Sequence, residues 1–344
     1  MIWRMGARPW AGLDIGAYSV KLVALSPGGR SWRSAEAVVP RSLAGGDGPP
    51  ADVVASLIDD CMTRVDLGPR DFRGISVGVS GSDVIVRQLT LPLMDESEIP
   101  SALRFEARKH VPFDVQDMVF DHQVLARNTS ERRLDVLLAA VTQQRLDRAL
   151  APLRELGVEA DIVDASPLAL ANALDHASRD ESSASEAHLL LDLGHQGSWL
   201  TLRQAAQPFF ARRLEWGGAQ LTQTVASTLG GALDRADAWK LDAGASLAQT
   251  GPEAEAARRA VDELAGEVRR SLAFYGTLAH VPERLTLRVC GGTTRLAGLA
   301  ERLGELLRVT TSKFSPIESL DRGVRPAGGG PQFAQAYGLA LRAE

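Results

Sequence analysis

Apolar residues along this chain come in short alternating runs, and between those runs they return at helical spacing. Ile75, Val77 and Val79 have the period of two that predicts a strand, whereas Leu146, Leu150 and Leu153 have helical spacing. Val261, Leu264, Val268 and Leu272 repeat the helical pattern. Clusters of Gly, Pro and Ser at 42–51, 175–187, 243–255 and 322–331 predict loops and boundaries. Interleaved strands and helices predict an α/β protein.

One apolar run is interrupted in an unusual way. The stretch AGLDIGAYSVKLVALS, Ala11 to Ser26, breaks at Asp14 and Gly16 and then carries Lys21 inside the next run. A similar segment, LDLGHQGSWLTL, occupies Leu191 to Leu202, about 178 residues further on. Each copy is later followed by a strand, a small-residue loop and a helix: ADIVDASPLALANAL at 160–174 and LTLRVCGGTTRLAGLAERL at 285–303. So long a period predicts two similar lobes rather than a solenoid, with both Asp-x-Gly turns facing one cleft.

A Gly-rich turn can present backbone N–H groups to an anion, and Lys21 adds a point charge. Asp14 and Asp192 would repel an anion directly, but they suit a hydrated Mg2+ bridging phosphate oxygens, which takes one or two carboxylates and several waters. Taken singly, each segment also reads as an ordinary β-hairpin with Asp at its turn; the duplication favours the phosphate reading. The double glycine of CGGTTRLAGLAERL, Gly291 and Gly292, lets backbone lie against a base or ribose, and Leu296, Leu299, Ala300 and Leu303 predict the apolar face of a following helix. Gly217 and Gly218, with Thr222 and Thr224 behind them, read either as a ribose-side contact or as the start of an amphipathic helix.

Composition narrows the class. The chain has 344 residues, 45% hydrophobic and 24% charged, enough for two cores. Its net charge of -5, with no basic block, gives no footprint for nucleic acid. Cys61 and Cys290 lie in apolar surroundings without metal or disulfide spacing, and read as buried thiols in a reducing compartment. No apolar window reaches the roughly 18 residues of a membrane span, and the N-terminus lacks a signal-peptide core. The expectation is a soluble, cytoplasmic protein.

In this order, these segments resemble the ATPase fold shared by actin, heat-shock chaperones and sugar kinases. Within it the chain resembles the PilM family of type IV pilus assembly proteins, relatives of the division protein FtsA. The marks are GLDIGAYSVKLVAL, ALRFEARKHVPFDVQDMVFDHQVL (102–125), LEWGGAQLTQ (214–223), SLAFYGT (271–277) and AYGLALRA (336–343). The resemblance implies ATP and Mg2+ as ligands. Asp14, Gly16, Ser19 and Lys21 would then lie on one side of the β- and γ-phosphates, and Asp192, Gly194 and Ser198 on the other. Gly217 and Gly218 would approach the α-phosphate and ribose; Gly291, Gly292 and Thr293 would support the adenosine, and Lys240 would lie beside ribose or base. Asp164 would be the catalytic residue left to orient water, but Ser166 stands where relatives tend to carry a glutamate near the attacking water, so hydrolysis is expected to be slow at most. His195 is expected to be exposed.

The resemblance also divides the chain. Lobe 1A is expected at 1–81 and 161–180, an FtsA-type inserted subdomain 1C at 82–160, lobe 2A at 187–230 and 284–344, and subdomain 2B at 231–283. The insert reads as strand 84–91, helix 97–110, strands 118–126 and 134–141, and helix 143–156. The implied partner is the cytoplasmic tail of a PilN-like single-pass membrane protein, received in a groove between subdomain 1C and the first lobe. That contact would hold the protein at the inner membrane with other pilus assembly proteins. The chain ends at LALRAE without the amphipathic helix of FtsA, which favours PilM over an FtsA-like division filament. A sugar-kinase-fold phosphotransferase is the remaining alternative.

Overall fold

The computed structural model describes residues 8–29, 31–43, 48–109, 114–178, 187–203, 209–242, 244–281, 285–316 and 330–343. Much of the loops expected at 42–51, 175–187 and 322–331 lies outside these residues, as do Val111 and Pro112 of the marked segment 102–125 and Ala243 of the loop 243–255.

The first lobe opens with β1 (Trp10–Ile15), β2 (Ser19–Leu25), β3 (Trp32–Val38), α1 (Ala51–Arg64) and β4 (Gly74–Val79). An inserted unit follows, with β5 (Val84–Pro92), α2 (Ile99–Ala107), β6 (Met118–Asn128) and β7 (Arg133–Thr142). Helix α3 (Gln143–Glu155) leads back to β8 (Ile162–Ala165) and α4 (Ser166–Ala177). The second lobe carries β9 (Ala187–Leu193), β10 (Ser198–Arg203), β11 (Phe210–Leu214), α5 (Gly218–Thr228), α6 (Leu233–Leu241) and α7 (Pro252–Tyr275). It continues through β12 (Leu285–Cys290), α8 (Leu299–Leu307) and β13 (Thr310–Lys313), and α9 (Ala334–Ala340) comes last.

The two lobes repeat one topology. Their sheets run β3-β2-β1-β4-β8 and β11-β10-β9-β12-β13, with two antiparallel hairpin pairs followed by parallel strands in each. This order makes β12 the counterpart of β4, and β13 the counterpart of β8. The sequence had paired segment 285–303 with 160–174; its structural equivalent instead starts at Gly74. Both segments share strand, small-residue loop and helix, and pairing partners alone tell them apart.

The inserted β5-β7-β6 sheet has its own core, in which Leu89, Leu91, Leu134, Val136 and Leu138 pack on Ile99 and Leu103 of α2. Helix α3, expected to belong to that unit, puts Leu150 and Leu153 among Ile58, Cys61 and Met62 of the first lobe. Helix α9 also returns to the first lobe, although 284–344 was expected in the second. It wedges between β1 and α4, where a Cβ on Gly12 would lie 2.5 Å from the Ala340 nitrogen and one on Gly338 would lie 2.5 Å from the Ala169 carbonyl carbon. Small residues at both positions permit that close approach. At the base of the cleft, Val79, Leu170 and Tyr337 pack in one cluster with Leu190, Trp199 and Cys290 of the second lobe.

Candidate functional site

Between the lobes lies a cleft of about 630 Å3. Both Asp-Gly hairpins open onto it, as the repeat predicted. In each, four residues join the strands: Ile15 pairs with Val20, and Leu193 with Ser198. Asp14, Gly16, Ser19, Lys21, Asp192, Gly194, Lys240, Gly291, Gly292 and Thr293 all line the cleft.

Lys21 lies directly across the strand pair from Asp14, and its Nζ meets Asp14 Oδ2 at 3.1 Å. Burial works against its charge, but Asp14 and Glu36 outweigh burial and raise the lysine above its ordinary range. Asp14 Oδ1 accepts from Gln335 Nε2 at 3.0 Å. Ser19 Oγ donates to Glu36 Oε1 at 2.8 Å.

Asp192 is less well served. Its cross-strand neighbour is Trp199, and its one described side-chain partner is Cys290 Sγ, 3.7 Å from Oδ1. Withdrawal from water, then the nearby Asp14 charge, push its pKa to about 6, with Lys21 and Cys290 opposing. Two carboxylates beside one ammonium leave a deficit of positive charge that fits a hydrated divalent cation held jointly with phosphate oxygens. Among the described residues, no group of three or more His, Cys, Asp or Glu is arranged to hold a metal by itself.

The adenosine-side residues divide into wall and backing. Gly291 has φ 88°, open to glycine, and a Cβ there would lie 2.6 Å from Asp192 Oδ1; Gly292 faces open space. Thr293 Oγ1 donates to the Gly194 carbonyl at 3.1 Å, which ties this loop to the second hairpin. A short 3-10 turn over Gly292–Arg295 precedes Leu296, and Ala297 with Gly298, the latter in the left-handed region, separates Leu296 from α8, so the continuous helix expected there is interrupted. Gly217 and Gly218 stand behind the hairpin turn and not on the cleft wall, with Gly218 N donating to the Gly194 carbonyl at 2.8 Å. A Cβ on Gly218 would meet Thr293 Oγ1 at 2.7 Å, so these glycines serve close packing. Lys240 Nζ is engaged by Asp237 at 2.9 Å and Thr222 Oγ1 at 2.8 Å.

Three further expected residues, besides Gly217 and Gly218, are not brought to the cleft wall. Ser198 is the register counterpart of Val20, not of Ser19; it is buried and donates to the Trp216 carbonyl at 2.7 Å. Asp164 lies on the edge strand β8 and pairs with Arg342 at 3.2 Å, and burial raises its pKa more than Arg342 lowers it. Ser166 is fully buried and donates to the Val79 carbonyl at 2.9 Å. His195, expected to be exposed, is half-buried with its ring 5.2 Å from that of Tyr18; burial, then Lys240, lower its pKa. Sequence reading missed Glu36, Gln335 and Arg295, which also line the cleft. Gln335 had no local signal, because α9 reaches the site from the far end of the chain.

A model of the family described as type IV pilus assembly protein PilM matches residues 12–344. A chain of the PilM-PilN type IV pilus biogenesis complex is 27% identical, with a TM-score of 0.80 over 96% of this chain and 97% of that one. The ethanolamine utilization protein EutJ from Carboxydothermus hydrogenoformans is 12% identical, with a TM-score of 0.57 over 98% of this chain and 90% of that one. A ROK family glucokinase from Streptomyces griseus, solved with glucose and AMPPNP, is 13% identical, with a TM-score of 0.52 over 97% of this chain and 98% of that one. These likenesses agree with the two similar lobes expected from the repeat and with the actin-like ATPase fold that the resemblance implied. No helix among the described residues is long and apolar enough to cross a membrane.

Proposed function

The chain belongs to the PilM family of type IV pilus assembly proteins, and on that premise we propose that it is an ATP- and Mg2+-binding scaffold of the pilus assembly platform. One observation carries the nucleotide reading: two Asp-Gly hairpins from separate lobes meet at one cleft, with Lys21 beside Asp14. In this reading Lys21 and the two turns meet the β- and γ-phosphates, and Asp14 and Asp192 hold the hydrated metal. Gly291, Gly292 and Thr293 border the nucleoside, with Lys240 beyond them. Bound Mg2+ would supply charge neutralisation between the phosphates and the two carboxylates.

Hydrolysis needs a group that orients water as well as a metal. Asp164 and Ser166 are both engaged outside the cleft wall, which supports slow turnover and a nucleotide that acts as a conformational ligand. The partner is the cytoplasmic tail of a PilN-like single-pass membrane protein, docked between the inserted sheet and the first lobe. Attachment to the inner membrane, beside other assembly proteins, runs through that tail. Calorimetry with ATP, with and without Mg2+ and the tail peptide, tests both parts. ATP binding should depend on Mg2+ and change in affinity when the peptide is present, because coupling requires differential affinity. Absence of any ATP affinity would remove the nucleotide reading and leave the assembly role standing alone.

A further inference from the structure

The lobes meet in two chemically different ways. At the base of the cleft the contact is apolar. On its outer side, charged side chains reach across. Arg41, in a short 3-10 turn after β3, donates to Asp234 Oδ1 at 2.8 Å and pairs with Asp237, both on α6. The Tyr18 hydroxyl donates to Asp237 Oδ2 at 3.4 Å. Glu36 of β3 pairs with Arg295, in the 3-10 turn that follows Gly291. The first lobe thus supplies the cation in one crossing pair and the anion in the other, so neither crossing can be replaced by a simple difference in net charge between the lobes.

These contacts are wired to the first hairpin. Val39 N donates to the Tyr18 carbonyl at 2.9 Å, which ties the Arg41 turn to the hairpin turn. Glu36 lies across the strand pair from Lys21 and accepts from Ser19 Oγ. Burial works against the Asp237 carboxylate, but Lys240 and Arg41 outweigh it and hold its pKa below the usual range. The Arg41 side chain is 42% exposed and its partner Asp237 only 7%. Arg41 lies open to solvent and salt, and Asp237 stays paired with Lys240 at 2.9 Å when Arg41 leaves, so this contact breaks without stranding a buried charge, which suits a moving contact better than a permanent joint. Tyr18, Glu36 and Arg295 line the cleft, and its volume of about 630 Å3 is present with these pairs made; the Arg41 pair joins it through Tyr18, which bonds Asp237.

We propose that Arg41–Asp237/Asp234 and Glu36–Arg295, with Tyr18 between them, form a clasp over the cleft mouth that must open for nucleotide to enter or leave. Arg41 then controls the rate of exchange more than the affinity. This inference rests on the nucleotide reading above.

The test uses the full chain and N-methylanthraniloyl-ATP with Mg2+ in stopped flow, chasing with excess ATP. Arg41→Ala should raise association and dissociation rates together by about tenfold, leaving Kd within about threefold, with Arg41→Lys intermediate. Raising salt from about 50 to about 500 mM should speed release from the wild type and change it little in Arg41→Ala. Without nucleotide, hydrogen exchange at α6 and Tyr18 should be faster in Arg41→Ala than in the wild type. Release rates equal in wild type and Arg41→Ala overturn the clasp while the nucleotide reading stands. A wild type that binds no analogue overturns both. Unchanged hydrogen exchange in Arg41→Ala also overturns the clasp.

Discussion

The two hairpins that face each other across the cleft share a backbone plan and differ in charge. Both have an Asp two positions before a Gly and four residues joining the strands. In the first, the residue paired with the Asp is Lys21; in the second it is Trp199. Asp14 therefore has an ammonium and an amide as partners, while Asp192 has a thiol at 3.7 Å and a neighbouring carboxylate. Trp199 turns its Nε1 to Ser80 Oγ at 3.0 Å and serves the joint between lobes. Duplication preserved the turn geometry, and one cross-strand position separated the charged hairpin from the packing hairpin.

Removing Lys21 should have the largest effect, because it erases the asymmetry by leaving both carboxylates without a cation. Breaking a buried pair by deleting one partner costs about 3–5 kcal/mol, and urea denaturation of Lys21→Ala at neutral pH should show a loss of that order. Its affinity for Mg-ATP should fall by the roughly 1.5–3 kcal/mol of a charge-assisted contact. Wild-type stability and affinity in this variant would mean that Asp14 does not depend on Lys21.

Changing the second acid should act in the opposite direction. Asp192 has a pKa near 6 in the folded protein, against about 3.9 in an unfolded chain. Between these values the folded state holds a proton that the unfolded state has lost. Stability therefore falls as pH rises from about 4 to about 6 and levels off above it. In Asp192→Asn the share of that slope due to Asp192 should be lost, leaving the part that the raised Asp164 contributes, and stability at pH 7 should exceed wild type by about 1–2 kcal/mol. The same variant should lose the Mg2+ dependence of ATP binding. Denaturation midpoints across this pH range, paired with calorimetry, measure both; a slope retained in full in the variant assigns it to another group.

The smallest effect sharpens the register. Ser198→Ala should cost about 1–2 kcal/mol by leaving the Trp216 carbonyl without its donor, with Mg-ATP affinity unchanged. A drop in affinity at constant stability would return Ser198 to the cleft and contradict its pairing with Leu193.

Much of this could be read locally. The chemistry at Asp14, Gly16, Lys21, Asp192, Gly194 and the Gly291–Thr293 loop lies in contiguous motifs, and contiguous motifs keep their meaning when the chain folds. Ser19 and Ser198 looked equivalent because both begin the second strand of their hairpins. A one-residue offset in the pairing separates them, and in a strand one residue decides which face a side chain takes. The resemblance made Asp164 the catalytic candidate, yet β8 is a sheet edge and sets it beside Arg342.

What the sequence determined by itself was the α/β alternation, the duplicated acid-glycine turn and the family, because these are periodicities and motifs carried within short windows. Tertiary structure decided that β12 answers β4, that α3 and α9 join the first lobe, and that Gln335, Glu36 and Arg295 gather at the cleft. Each of those outcomes depends on which distant strand or helix becomes a neighbour. The Glu36–Arg295 contact joins residues 259 apart and the Gln335–Asp14 contact residues 321 apart, and no local spacing encodes partners at that range.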